Sequence, residues 1–203
     1  MSIEIKFSKK PIPYKKAMLF LHKRVQQVKN GDNKELIWIL EHPKTYTAGV
    51  SFKQNEIIDK RIKIIKTNRG GKITLHNPGQ KIIYFVINLN NRKKDIRKFI
   101  NTIEVSVIEF LKFLKINAKK DKKNIGIWVK EKKIAAIGLR VSRWVAFHGF
   151  SINISNNLNE YLKIVPCGLD NKKITSVYSE GKIIPKNFEM KLVNIFIKNI
   201  NSI

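Results

Sequence analysis

The sequence predicts a mixed α/β (α+β) fold in one domain, a largely antiparallel sheet flanked by helices. Three observations predict it. Two stretches carry apolar residues at helical spacing, near the N-terminus and at residues 95–114. Strand-length apolar runs lie between them, "ELIWIL" and "KIIYFVINL". In the second half, "IGIWV", "KEKK" and "IAAIGLRV" alternate as strand, tight turn and strand, the pattern of an antiparallel hairpin.

Taken in order, residues 14–30, "YKKAMLFLHKRVQQVKN", form a helix, and Gly31 follows as its C-terminal cap. "ELIWILEHP" is a buried strand ended by Pro43, and "KIIYFVINL" is a second. Ile96, Phe99, Ile100, Ile103, Val107, Phe110, Leu111 and Leu114 repeat at three and four residues and define the clearest amphipathic helix. "KKDKKN" is a charged connection. In "WVAFHGFSINIS" an extended chain places Trp144, Ala146, His148, Phe150, Ile152 and Ile154 on one face. A short helix near residues 158–162 leads to the only cysteine, and residues 185–200 close the chain as a helix. No internal repeat or linker divides the 203 residues, a length suited to a single core.

Composition narrows the function classes. One cysteine excludes an intramolecular disulfide, and "MSIEIKFSKKPIPY" lacks the apolar core of a signal peptide. No apolar run reaches membrane-span length, so the expectation is a soluble, cytoplasmic protein with no membrane partner. The net charge of +26 would ordinarily suggest nucleic acid. Only seven of the 41 basic residues are arginine, however, and phosphate and base recognition favours the bidentate arginine fork. The lysines are therefore assigned to solvated faces, with no nucleic-acid partner expected.

Four segments can carry chemistry. "RGGKITLHNPGQ", residues 69–80, gathers three glycines, a proline, an arginine and a histidine before an apolar strand. Glycines allow a backbone to turn sharply against a ligand, and arginine and histidine can orient one; alone, the segment is equally a hairpin with an awkward turn. It has neither the spacing of a dinucleotide loop nor the ending of a P-loop. In "KKIAAIGLR", Ala135, Ala136 and Gly138 interrupt a strand with small residues and leave room against its backbone. Lys133 by itself reads as a solvated turn lysine, and His148 as a satisfied core histidine. In "PCG", Pro166 fixes the chain entering the turn and Gly168 frees the following amides, so Cys167 is either a presented nucleophile or a small buried hydrophobe.

Together, "EHPKTYTAG", "RGGKITLHNPGQ", "IGIWV…KKIAAIGLRV", "FHGFSIN" and "PCGL…ITSV" resemble, in order and spacing, the octanoyltransferase family of lipoate biosynthesis. The resemblance implies a fold like the catalytic domain of biotin and lipoate protein ligases. It also implies transfer of an octanoyl group from octanoyl-acyl carrier protein to a lysine on lipoyl domains, those of 2-oxoacid dehydrogenases and the glycine cleavage H protein. By motif position Cys167 matches the nucleophile that carries the acyl thioester and Lys133 the lysine that tunes it. Substrate-contacting positions fall on Arg69, Gly70, Gly71, Lys72, Ile73, Thr74, Leu75 and His76, then on Ala136, Ile137 and Gly138, then on Gly149, Phe150 and Ser151. No cofactor or metal is implied, because thioester-to-amide exchange runs downhill. One departure is Asn77, where the family usually has glycine.

Such a reaction needs an apolar slot, and burying seven CHₓ groups contributes about 5 kcal/mol. Ala135, Ala136 and Gly138 are candidates for one wall and the glycines of "RGG" for another. His76 is a candidate to orient the carbonyl or the carrier's arm, and His148 to brace Lys133 or the loop. Two alternatives stay open: an ATP-dependent ligase on the same fold, and a basic nucleic-acid-binding protein, which would explain the charge but none of the motifs.

Overall fold

The apolar runs are continuous because both faces of their sheet are covered. In the computed structural model, which describes residues 2–121, 124–166 and 174–203, β2 (Glu35–Leu40) and β6 (Gln80–Asn88) pair antiparallel inside a seven-stranded sheet. Leu36, Trp38, Ile82, Tyr84 and Val86 pack beneath α1 (Tyr14–Asn30). Their alternates, Ile37, Ile39, Ile83, Phe85 and Ile87, face α2 (Ile96–Phe113) and α3 (Phe188–Ile200).

The sheet runs β1-β2-β6-β10-β9-β8-β7, with β1 (Ile3–Phe7), β7 (Lys119–Lys120), β8 (Ile127–Val129), β9 (Lys132–Ser142) and β10 (Val145–Asn153). Every neighbouring pair is antiparallel except β1 with β2. A smaller sheet, β4-β3-β5, is built from β3 (Thr45–Ala48), β4 (Ile64–Lys66) and β5 (Ile73–His76). Tyr46, Ile73 and Leu75 join Tyr161 and Ile164 in a core of their own. The helix ends follow the expected chemistry: Gly31 adopts φ 81° after α1, and the Asp95 side chain accepts from Lys98 N at 2.9 Å before α2. Among the described residues no helix is long and apolar enough to cross a membrane.

Several expectations need correction. The turn between β8 and β9 is only Lys130–Glu131, so Lys132 and Lys133 belong to the strand. Residues 69–80 are not a hairpin, because β5 and β6 lie in different sheets. Part of the charged connection forms the edge strand β7; Lys122 and Lys123 lie outside the described residues. The last helix starts at Phe188, three residues beyond Pro185. Finally, Trp144 sits in the β9–β10 turn at φ 63°, and His148 leaves the alternation of β10 because its own φ is 73°.

Candidate active site

Two strands of the large sheet, β9 and β10, offer small residues in register. Ser151 on β10 pairs with Ile82 on β6 and Ala136 on β9; Gly149 pairs with Tyr84 and Gly138. These two cross-strand rows, on the α1 face, floor a cavity. Its roof is the segment carrying Arg69, Gly71, Lys72, Ile73, Thr74 and His76, and its remaining wall includes Tyr14 and His148. Ile137 and Phe150 also line it, although both turn towards the α2/α3 core. Ala135, expected in the wall, belongs to that core instead.

The room over β9 is partly taken by the chain itself. Gly70 N donates to Leu139 O at 3.2 Å, and a Cβ on Gly138 would stand 3.4 Å from Arg69 Cδ. Arg69 was expected to orient a ligand; its guanidinium donates to Thr47 O and Oγ1 at 2.8 and 2.9 Å and so ties the roof to β3. Backbone amides of Gly49, Val50 and Ser51 donate to the carbonyls of Lys72, Arg69 and Gly71, each at 3.1 Å. Buried Glu56 pairs with Lys72 at 3.2 Å, and its carbonyl accepts from Val165 N at 2.8 Å. Roof and cysteine-bearing segment are thus anchored to the same residue.

Asn77 does not adopt a left-handed conformation; Gly79 does, at φ 86°, after Pro78. The Asn77 side chain instead donates to Asn157 O at 2.9 Å and accepts from Asn156 Nδ2 at 3.0 Å. The asparagine therefore stitches the turn to the loop after β10.

Tyr14, His76 and Tyr84 line the cavity, and the buried His42 ring packs against all three. His76 lies 5.6 Å from His42 and stacks 6.1 Å from Tyr14 at 11°. His76 Nδ1 donates to Gln80 Oε1 at 2.8 Å; the Gln80 amide nitrogen donates in turn to Asn153 Oδ1 at 2.8 Å. His42 Nδ1 donates to Ile12 O, and its Nε2 accepts from the Tyr84 hydroxyl at 2.8 Å. Burial makes charge costly here. It lowers His42 to about 4 and, with the neighbouring His42, His76 to about 3. Burial also raises the Tyr14 and Tyr84 hydroxyls. All four are neutral near pH 7. Sequence reasoning missed Tyr14, His42 and Tyr84; His42 stood in the quoted "EHP", but nothing local shows that four distant positions converge.

His148 is turned by its backbone towards α1. Its ring stacks on Phe147 at 5.0 Å, lies 6.5 Å from His22, and its Nε2 donates to Asn68 Oδ1 at 3.0 Å. It braces the segment entering "RGG". Burial, with His22 beside it, lowers its pKa to about 3.

A β-bulge against Ile127/Trp128 inserts one residue into β9, so that Ile134 and Ala135 both enter the α2/α3 core. Lys133 then shares the cavity face with Ala136 and Gly138. It is 5% exposed, Nζ donates to Ile125 O at 2.8 Å and lies 5.4 Å from the Trp128 ring. Gly126, at φ 133°, makes room: a Cβ there would stand 3.0 Å from Nζ. Lys132 is exposed. Lys133 O accepts from Thr175 N at 2.9 Å, and Lys133 bridges Ile174. The segment containing Cys167 therefore leaves beside Glu56 and returns beside Lys133; Cys167 itself lies outside the described residues.

A family profile described as "Lipoyl protein ligase A/B catalytic domain" matches residues 13–197. An octanoyltransferase of Wolbachia sp. subsp. Brugia malayi is 39% identical over 206 residues, covering 99% of each chain. One of Ehrlichia chaffeensis is 42% identical over 185 residues, 88% of this chain and 86% of that one. The chain belongs to the octanoyltransferase family. The fold is that of lipoate ligases: a putative lipoate protein ligase from T. acidophilum with bound lipoic acid superposes with a TM-score of 0.77 at 15% identity, covering 100% of this chain and 86% of that one. A lipoate-protein ligase A bound with ATP gives 0.76 at 14%, covering 98% and 86%. The octanoyltransferase assignment rests on the sequence relatives, and the mixed, mostly antiparallel architecture agrees with it.

Proposed function

We propose that this octanoyltransferase takes the octanoyl group of octanoyl-acyl carrier protein onto Cys167 and passes it to a lysine of a lipoyl domain, as the first step of protein lipoylation. The observation that carries the reading is the slot over Ala136 and Gly138, whose strand presents buried Lys133 on the same face and pairs with the chain returning from Cys167. The Cys167 thiolate attacks the carrier's thioester carbonyl. The carbon–sulfur bond to the carrier breaks, the carrier's thiol takes up a proton, and a new thioester forms on Cys167. The deprotonated ε-amine of the acceptor lysine then attacks that carbonyl, the nitrogen gives up its surplus proton to solvent as the amide forms, the carbon–sulfur bond to Cys167 breaks, and the thiolate is regenerated. The Lys133 ammonium favours the thiolate in both halves, because a neighbouring cation lowers a thiol's pKa. The roof and floor exclude water from the acyl chain, while the neutral imidazole of His76 offers a polar contact that needs no proton change.

The test is incubation with octanoyl-acyl carrier protein without ATP, followed by mass spectrometry and addition of an apo lipoyl domain. An octanoyl adduct on Cys167 that passes to the lipoyl lysine is expected. No adduct, with transfer only when ATP and free octanoate are supplied, would replace the thioester reading with ligase chemistry.

A further inference from the structure

The cavity and a groove on the protein surface share two wall residues, Tyr14 and His148. The groove runs between α1 and residues 65–68, with Met18, Leu19 and Ile65 inside it. His148 is held at this partition by unusual means. Its φ of 73° is costly for a residue with a side chain and persists only where the surroundings impose it. The Asn68 hydrogen bond and the Phe147 stack do so. The ring is 2% exposed, and its Nδ1 has no hydrogen-bond partner among the described residues.

We propose that His148 is the end wall of the acyl slot and sets the longest acyl chain the enzyme accepts. This rests on the transfer reading above, which puts the reacting carbonyl at the Lys133 end. The chain then runs over the Ala136–Ser151 row, over the Gly138–Gly149 row, and meets His148 next along β10. The cavity begins at the Ala136–Ser151 row, its nearest approach to Lys133, and with the carbonyl placed there the run from Ser151 to His148 is three residues of strand, about 10 Å. An extended chain advances about 1.2 Å per bond, so eight carbons span about 8 Å and twelve about 13 Å. The shorter chain ends before the imidazole and the longer one runs into it. A neutral ring suits this place, since an apolar chain end could not solvate a charge.

The decisive variant is His148→Gly, because glycine adopts positive φ without strain and leaves no ring. Two ratios are read in wild type and variant: the calorimetric affinities for dodecanoic against octanoic acid, and kcat/KM for dodecanoyl- against octanoyl-acyl carrier protein. Both ratios should shift towards the longer chain by at least about tenfold, a change of roughly 1.4 kcal/mol. Met18→Trp added to His148→Gly fills the groove from outside and should bring the ratios back. His148→Asn, a residue that tolerates positive φ, should shift them the same way by less and stands in if the glycine variant does not fold. The end wall is refuted if folded variants keep wild-type ratios, if both chain lengths change equally, or if the wild type binds neither acid. Should the affinity ratio shift while the wild type transfers no octanoyl group without ATP, the end wall stands and the transfer reading falls.

Discussion

Acid should destabilise this protein well before its carboxylates titrate. His42, His76 and His148 are buried, and folding lowers them from 6.5 to about 4, 3 and 3. The folded chain keeps them neutral while the unfolded chain protonates them near pH 6.5, so the unfolded state binds more protons as the pH falls. Their contribution is complete above about pH 7 and is lost progressively from about 6.5 towards the folded values. At pH 5 each has forfeited about 2 kcal/mol, and the three together about 6, against a typical total of roughly 5–15. The local slope is about 4 kcal/mol per pH unit. Glu104, whose carboxyl burial pushes up, works in the opposite sense. Urea denaturation at pH 7, 6 and 5 reads the slope directly. His76→Gln keeps a polar group opposite Gln80 and removes one titration, so it should flatten the slope by about 1.4 kcal/mol per unit. A wild type equally stable at pH 7 and 5, or a His76→Gln variant with an unchanged slope, would refute the argument that burial holds these rings neutral.

Three further outcomes follow from the site. Ala136→Phe places a ring on the cavity floor; displacing about four methylenes costs about 3 kcal/mol, so octanoyl transfer should fall roughly a hundredfold while transfer of an acetyl group changes little. An equal fall in both would put the slot elsewhere. Lys133→Ala should slow iodoacetamide alkylation of Cys167 about tenfold at pH 7, whereas Lys132→Ala, on the exposed side, should not; matching effects would sever the pairing, and normal turnover by Cys167→Ser would remove the thiol from the chemistry. Gly149→Ala would drive a Cβ into Ile83 O of the neighbouring strand, and a loss of about 3 kcal/mol is expected in thermal unfolding. An unchanged Tm would mean that β10 can move away from β6 there.

The helices α1 and α2 and the strands β2 and β6 were legible because each carries its own periodicity: 3.6 residues for a helix with one covered face, an unbroken apolar run for a strand covered on both. Strands β3 and β4 were not, being four and three residues long and too short to show a pattern. The motifs that located the site were local as well, and the structure gathers Arg69, Gly71, Lys72, Ile73, Thr74, His76, Ala136, Gly138, Gly149 and Ser151 around one cavity, while Leu75 packs in the core of the small sheet.

By itself the sequence determined the mixed architecture, the helix ends at Asp95 and Gly31, and the ordered motifs that place the chain among the octanoyltransferases. Only the tertiary structure decided which side chains meet. Strand pairing joins residues tens of positions apart, and no local pattern encodes its register. One bulge in β9 moves Lys133 to the cavity face, and one positive φ goes with His148 in the cavity's wall. The convergence of Tyr14, His42, His76 and Tyr84 likewise needs α1, the turn after β2, β5 and β6 to be packed before their rings can touch. Periodicity reports the face a residue turns to its own neighbours, and the site is made where four such faces coincide.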